Sequence, residues 1–391
     1  MACVPVTNCN ITAKTDLTKE STGANYKGLA ACQSDSGDIT FDGSTLTTGK
    51  SDGVSAVLTA APLSAVRTDG SGQTVTVTGS TIRSTVTDMP AFEIADSSSS
   101  APTAALTFAN STINATTDTG YAIDAAGTVT VQESTLALTT TANTAFRAAG
   151  TVNISDGSTV TADSVTGIAA GAVNISGGST VTANATTGIG ISSGSTIGIE
   201  GENTSVTASS TGRDAIYAAG AVTIKDSAEV TATAAADGID ADGDVTIDSA
   251  TCTVTDSKGA AAVYSKGNIV VNNSTVDVTN SGTKSGGNQC GFTAEGDITF
   301  SGTDNKVTSN ATNSPVNAKG SNGFTVDGGL TTLKTPEDVV AGYVINAASG
   351  INILSGKVVV DSHENNYKPF NVTPALALPE KVTAGKPDFS E

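Results

Sequence analysis

Residues 237–244 read Asp-Gly-Ile-Asp-Ala-Asp-Gly-Asp and place Asp237, Asp240, Asp242 and Asp244 on one short stretch. Closely spaced carboxylates suit a hard cation, and Ca²⁺ takes six to eight oxygen ligands. The string has neither the EF-hand layout, which closes on a Glu at its twelfth position, nor a G-G-x-G-x-D repeat. Two readings therefore stand: a calcium site and a solvated acidic turn.

A second set of side chains can do recognition chemistry. Tyr217 and Tyr264 offer flat rings for stacking, and Arg147, Asp240 and Lys266 offer charges that hydrogen-bond hydroxyl groups. Each lies just ahead of a recurring glycine. Three residues before those glycines come Asp124, Arg147, Tyr217, Asp240, Tyr264 and Thr293, and one residue before come Asp242, Lys266 and Glu295. If these positions share one outward strand face, Tyr217 and Tyr264 stand two strands apart, roughly 9.6 Å. That is comparable to a disaccharide repeat in an extended polysaccharide, the partner expected here. Two exposed tyrosines on a strand are also ordinary, so a plain solvent-facing strand is the alternative.

The elements that position these residues follow from the glycines. Gly127, Gly150, Gly171, Gly220, Gly243, Gly267 and Gly296 open phrases about 21–29 residues long, with one double-length gap after Gly171. A repeat of this length with short alternating segments marks a solenoid. The first segment carries apolar pairs such as Val152/Ile154, Val173/Ile175 and Val245/Ile247; the second carries Val160/Ala162, Val181/Ala183 and Cys252/Val254. The third carries Ile123, Phe146, Ile216, Ile239, Val263 and Phe292, four residues before a glycine. Period-two spacing puts each set on the inner face of a strand. The fold class is all-β: a parallel β-helix, three short strands per coil, right-handed as parallel crossovers nearly always are. Cys252 falls in an inward column and reads as a buried thiol, as does Cys290.

Earlier coils start at Gly37 and Gly72 and later ones at Gly323 and Gly350. This divides the chain into an N-terminal cap, 1–34, a β-helix, 35–360, and a proline-rich tail or linker, 361–391. A solenoid end exposes a strand edge and needs a cap. The five cysteines match no zinc spacing, and one disulfide among Cys3, Cys9 and Cys32 would suit the cap.

Composition removes several classes of function. With 19 Lys and Arg against 38 Asp and Glu, a net charge of −19, the chain is a poor partner for nucleic acid or an anionic membrane. The most apolar stretch, 339–354, contains Asn346 and Asn352, so no membrane span is expected. No signal peptide is visible at the N-terminus. A Thr- and Ser-rich, Lys-poor chain fits an extracellular or cell-surface place. Asn-x-Ser/Thr sequons such as Asn110 and Asn273 are expected by chance in such a chain.

Outward threonines on the second segment form two columns, one with Thr112, Thr135, Thr159 and Thr180, the other with Thr161, Thr182, Thr207 and Thr231. Threonine suits exposed strand positions for packing reasons alone. The paired columns resemble those of ice-binding β-helices, but Asn114, Ala137, Glu229 and Asp277 interrupt them. Pectin-degrading enzymes share the β-helix, yet their glycosidases need an Asp-Asp pair and a Gly-His, and this sequence has neither. Its one histidine is His363, and its four arginines are Arg67, Arg83, Arg147 and Arg213. A lyase pairing Ca²⁺ with an arginine base is the remaining enzymatic alternative.

The phrases "GAVNISGGSTVTA", "TGIAAGAVNI" and "ADGIDADGDVTI" resemble the repeats of bacterial cell-surface carbohydrate-binding-domain-containing proteins, over about 100–330. The resemblance implies a secreted β-helix that binds acidic polysaccharide with Ca²⁺, and it points to the acids of 237–244. Most other coils carry Ala or Thr at those positions. The expectation is a non-catalytic, adhesin-like surface protein. A structural stalk or filament subunit, self-associating end to end or side by side, is the alternative.

Overall fold

The computed structural model describes residues 6–7, 10–15, 30–34, 38–50, 64–68, 72–86, 89–95, 104–282, 289–335, 343–362 and 368–372, and every element among them is a β-strand. The chain divides into two compact units, Met1–Ser193 and Gly194–Glu391. Each is a β-solenoid in which three short strands make a coil and each strand pairs in parallel with its counterpart in the next coil.

In the first unit one coil runs through Ala105–Ala109, Thr112–Thr117 and Ile123–Ala125, which belong to a first, a second and a third wall. Stacking is in register. Leu106 lies between Val75 and Val129, Ile113 between Ile82 and Leu136, and Ile123 between Phe92 and Phe146. Each of these side chains is buried. The alternation of strand side chains sends one set inward to form apolar columns and the other outward. Residues 1–34, read as a cap, contribute Val6–Thr7, Asn10–Thr15 and Ala30–Ser34, which pair with the following coil as any other coil does. Cys3 and Cys9 lie outside the described residues.

The second unit follows the same plan from Ile197–Glu200 onward. Cys252 is buried in its column between Val230 and Val276, and Cys290 is buried as well. Burial pushes the Cys252 thiol up to about 12, so it stays protonated. Phe292, Phe300 and Phe324 fill the later coils, with ring centroids 5.2 Å apart and edge-to-face planes at 63° and 81°. Strands continue through Ile351–Ser362 and Lys368–Val372; His363 and 373–391 lie outside the described residues.

The corners explain why the phrases are spelled as they are. Between the first and second walls the backbone turns through a left-handed residue in each coil: Gly79 (φ 56°), Asn110 (φ 49°), Glu133 (φ 47°) and Asp156 (φ 57°). A buried serine follows, at Ser80, Ser111, Ser134 and Ser158. The Ser111 hydroxyl donates to Ala109 O at 2.8 Å and accepts the Ser80 N–H at 3.1 Å. The Ser111 N–H in turn reaches Ser134 Oγ at 3.0 Å, and the Ser134 N–H reaches Ser158 Oγ at 3.2 Å. Corner groups that the strand ladders leave over are thereby satisfied inside the wall.

Between the third and first walls the recurring glycines stack on one another. Gly150 N–H donates to Gly127 O at 3.2 Å, Gly243 N–H to Gly220 O at 3.0 Å, and Gly296 N–H to Gly267 O at 2.9 Å. A Cβ on Gly127 would run into the carbonyl of Ala104, and one on Gly243 would sit 2.9 Å from the Ala221 nitrogen. The glycine that punctuates the sequence is thus required by the close approach of coils.

Candidate functional site

The third wall of the second unit gathers most of the side chains singled out above. Ile216–Ala218, Ile239–Ala241 and Ala261–Ser265 stack there, with Ile216, Ile239 and Val263 turned into the core. Alternation then turns the residue after each outward. Tyr217, Asp240 and Tyr264 are consecutive partners in register, followed by Thr293, Asn317 and Asn346.

A charged row runs alongside. Asp242, Lys266, Glu295 and Lys319 each follow a third-wall strand, and their N–H groups donate to Ala218, Ala241, Ser265 and Ala294 of the preceding coil at 2.9–3.0 Å. Lys266 Nζ lies 2.6 Å from Asp242 Oδ1, and Lys319 Nζ lies 2.6 Å from Glu295 Oε1. The Tyr217 hydroxyl donates to Asp242 Oδ2 at 3.4 Å, and the Tyr264 hydroxyl to Glu295 Oε1 at 3.3 Å. Burial and the neighbouring carboxylates raise both phenols, so they remain donors at neutral pH. The Lys319 ammonium holds Glu295 below the usual carboxylate range.

The four acids of 237–244 do not act as one set. Asp237 and Asp240 meet Asp214, a residue the sequence reading did not select, with ligand oxygens of all three within 4.8 Å of one another. Asp214 Oδ1 accepts the Asp237 N–H at 3.1 Å, and Asp237 Oδ1 accepts the Ala261 N–H at 3.0 Å. Asp240 Oδ1 is buried and takes no hydrogen bond. Asp242 belongs to the charged row. Asp244 sits at the corner to the first wall, where its Oδ1 accepts the Asn268 N–H at 2.7 Å. Asn268 passes the arrangement on to the Asp297 N–H at 2.9 Å, and Asp297 to the Asn322 N–H at 2.8 Å.

Burial and mutual repulsion govern the acids of this corner. Burial, then Asp214, Asp240 and Asp256, pushes Asp237 up to about 7. Burial, then Asp214 and Asp242, pushes Asp240 to about 6, with Lys266 opposing. Burial takes Asp256 to about 6 although the Lys258 and Gly259 N–H groups donate to it. Asp214 is raised by burial, and the Arg213 charge opposes the rise. Three carboxylates this close can share a proton or a hard cation. The coil period would have revealed Asp214, which stands 23 residues before Asp237.

Arg147 belongs to the first unit. Its Nε lies 2.9 Å from Asp124 Oδ1, its Nη1 donates to the Tyr121 hydroxyl at 3.0 Å, and its guanidinium carbon sits 4.7 Å from the Tyr121 ring centroid. It is engaged with its own neighbours on that unit's third wall.

No family model, curated protein or solved structure matches the chain. No helix among the described residues is long and apolar enough to cross a membrane.

Proposed function

We propose that the chain is a non-catalytic, extracellular surface protein that binds polysaccharide on the third wall of its second unit. The observation that carries this reading is the register Tyr217–Asp240–Tyr264, with both phenols anchored on carboxylates. A tyrosine ring offers an apolar face for sugar C–H groups and loses little side-chain freedom on binding. Asp240 and the Asp242–Lys266 pair offer hydrogen bonds to hydroxyls. Lys266 and Asp242 remain part-exposed, with 55% and 29% of their side chains open to solvent. The Thr- and Ser-rich composition supports the extracellular assignment.

A pulldown on a panel of insoluble polysaccharides tests the proposal. The wild-type protein is expected to be retained on at least one of them. The Tyr217→Ala, Tyr264→Ala double variant is expected to be lost from that matrix while keeping its melting temperature. Retention of the double variant would remove the site. Parallel runs with Ca²⁺ and with chelator test the calcium expected from sequence, for which Asp214, Asp237 and Asp240 offer the tightest group of carboxylates. Chelator-sensitive retention, abolished by Asp240→Asn, would place the cation at that cluster. Formation of unsaturated sugar products would overturn the non-catalytic reading in favour of a lyase.

A further inference from the structure

We infer that the ligand of this wall is an unbranched, uncharged glycan with a two-sugar repeat, lying along the direction in which coils stack; this rests on the polysaccharide reading above. The wall carries the same three-part arrangement twice. In the first, the Tyr217 hydroxyl donates to Asp242, which pairs with Lys266. In the second, the Tyr264 hydroxyl donates to Glu295, which pairs with Lys319. Both bonds run in the same sense, from a tyrosine to a carboxylate of the following coil, and each ion pair spans one further coil at 2.6 Å. The two rings are therefore tethered alike.

Tyr217 and Tyr264 are separated by one intervening strand, so the arrangement recurs every two coils, about 9.6 Å. A surface that repeats its chemistry at a fixed step fits a ligand that repeats at the same step. An extended chain of equatorially linked sugars turns over at each linkage, so alternate rings present the same face. Tyr217 takes one such ring and Tyr264 the next of its kind. Asp240 stands beside the intervening sugar. The carboxylates of the row are already paired with Lys266 and Lys319, while the Asp214, Asp237 and Asp240 cluster stays net negative even when it shares a proton. Hydroxyl-bearing neutral sugars suit this face, and uronic acids would be repelled.

Two alike subsites on one chain raise affinity only when the ligand spans both, because the second contact is then intramolecular. Calorimetric titration with graded β-1,4-linked gluco-, xylo- and N-acetylglucosamine oligomers, from two units to six, reads this directly. At least one series is expected to tighten roughly ten-fold or more once the oligomer covers both tyrosines. Tyr217→Ala or Tyr264→Ala alone is expected to remove that step and leave the dimer's affinity close to wild type. A smooth dependence on length in every β-linked series would overturn the inference, as would an equally steep step with coiled α-1,4-linked malto-oligomers. Tighter binding of polygalacturonate than of neutral chains would also overturn it. If the pulldown retains the protein but no step appears, only the two-site inference fails. If no matrix retains it, the polysaccharide reading fails first.

Discussion

Asp237, Asp240 and Asp256 hold their protons to about 7, 6 and 6, against about 3.9 for a free aspartate. The folded chain thus binds protons that the unfolded chain has already released, and stability falls as pH rises through this window. The contribution is complete below about pH 4 and lost by about pH 7. Thermal unfolding at pH 5 is expected to occur at a higher temperature than at pH 8. Asp237→Asn, whose side-chain oxygen still accepts the Ala261 N–H, is expected to flatten the dependence. Equal melting temperatures at both pH values would contradict the carboxylate coupling. Adjacency in sequence misled at this scale. The run 237–244 looks like one acidic group, yet strand geometry and the corner divide it. Asp237 and Asp240 join Asp214 of the preceding coil, Asp242 joins Lys266, and Asp244 caps Asn268. The tyrosine column was legible because it lies within strands, where alternation and the repeat length fix position.

At the level of strands and corners, the apolar columns were readable for the same reason: Val152/Ile154 and Val160/Ala162 alternate with polar neighbours and all four are buried. The serine ladder was not. A serine after Gly, Asn or Glu and before Thr reads as a turn residue, and nothing in one phrase shows that its hydroxyl serves the neighbouring coil. Ser111→Ala would leave the Ser80 N–H without its acceptor inside a wall where Ser111 is 4% exposed. A loss of about 1–3 kcal/mol is expected from denaturant unfolding. Gly127→Ala is expected to be at least as damaging, because its Cβ meets the Ala104 carbonyl rather than a side chain that can move. A Ser111→Ala variant as stable as wild type would mean that water replaces the hydroxyl.

The whole molecule carries a large excess of negative charge. A chain with net charge −19 and only 15% charged residues has little opposite charge with which to screen itself. Self-repulsion weakens with ionic strength as the Debye length shrinks from about 10 Å at 0.1 M salt. The melting temperature is expected to rise between low salt and about 0.5 M NaCl, beyond what a neutral protein shows. A fall would mean that the ion pairs Lys266–Asp242 and Lys319–Glu295 outweigh the repulsion, contrary to the small worth of exposed pairs.

The serine corners bear on how such a chain changes over generations. Each coil from Ser80 to Ser134 receives one hydroxyl acceptor from its neighbour on one side and extends the same acceptor to the other. The fitting is standard, so a spliced-in copy of residues 128–150 would find both of its faces already matched. Lengthening by tandem duplication then needs no compensating substitutions at the new seam, and losing a coil needs none either. Coil number in such a lineage is free to drift by whole units, while an insertion of one residue inside a strand breaks the register and the corners absorb the differences in phrase length.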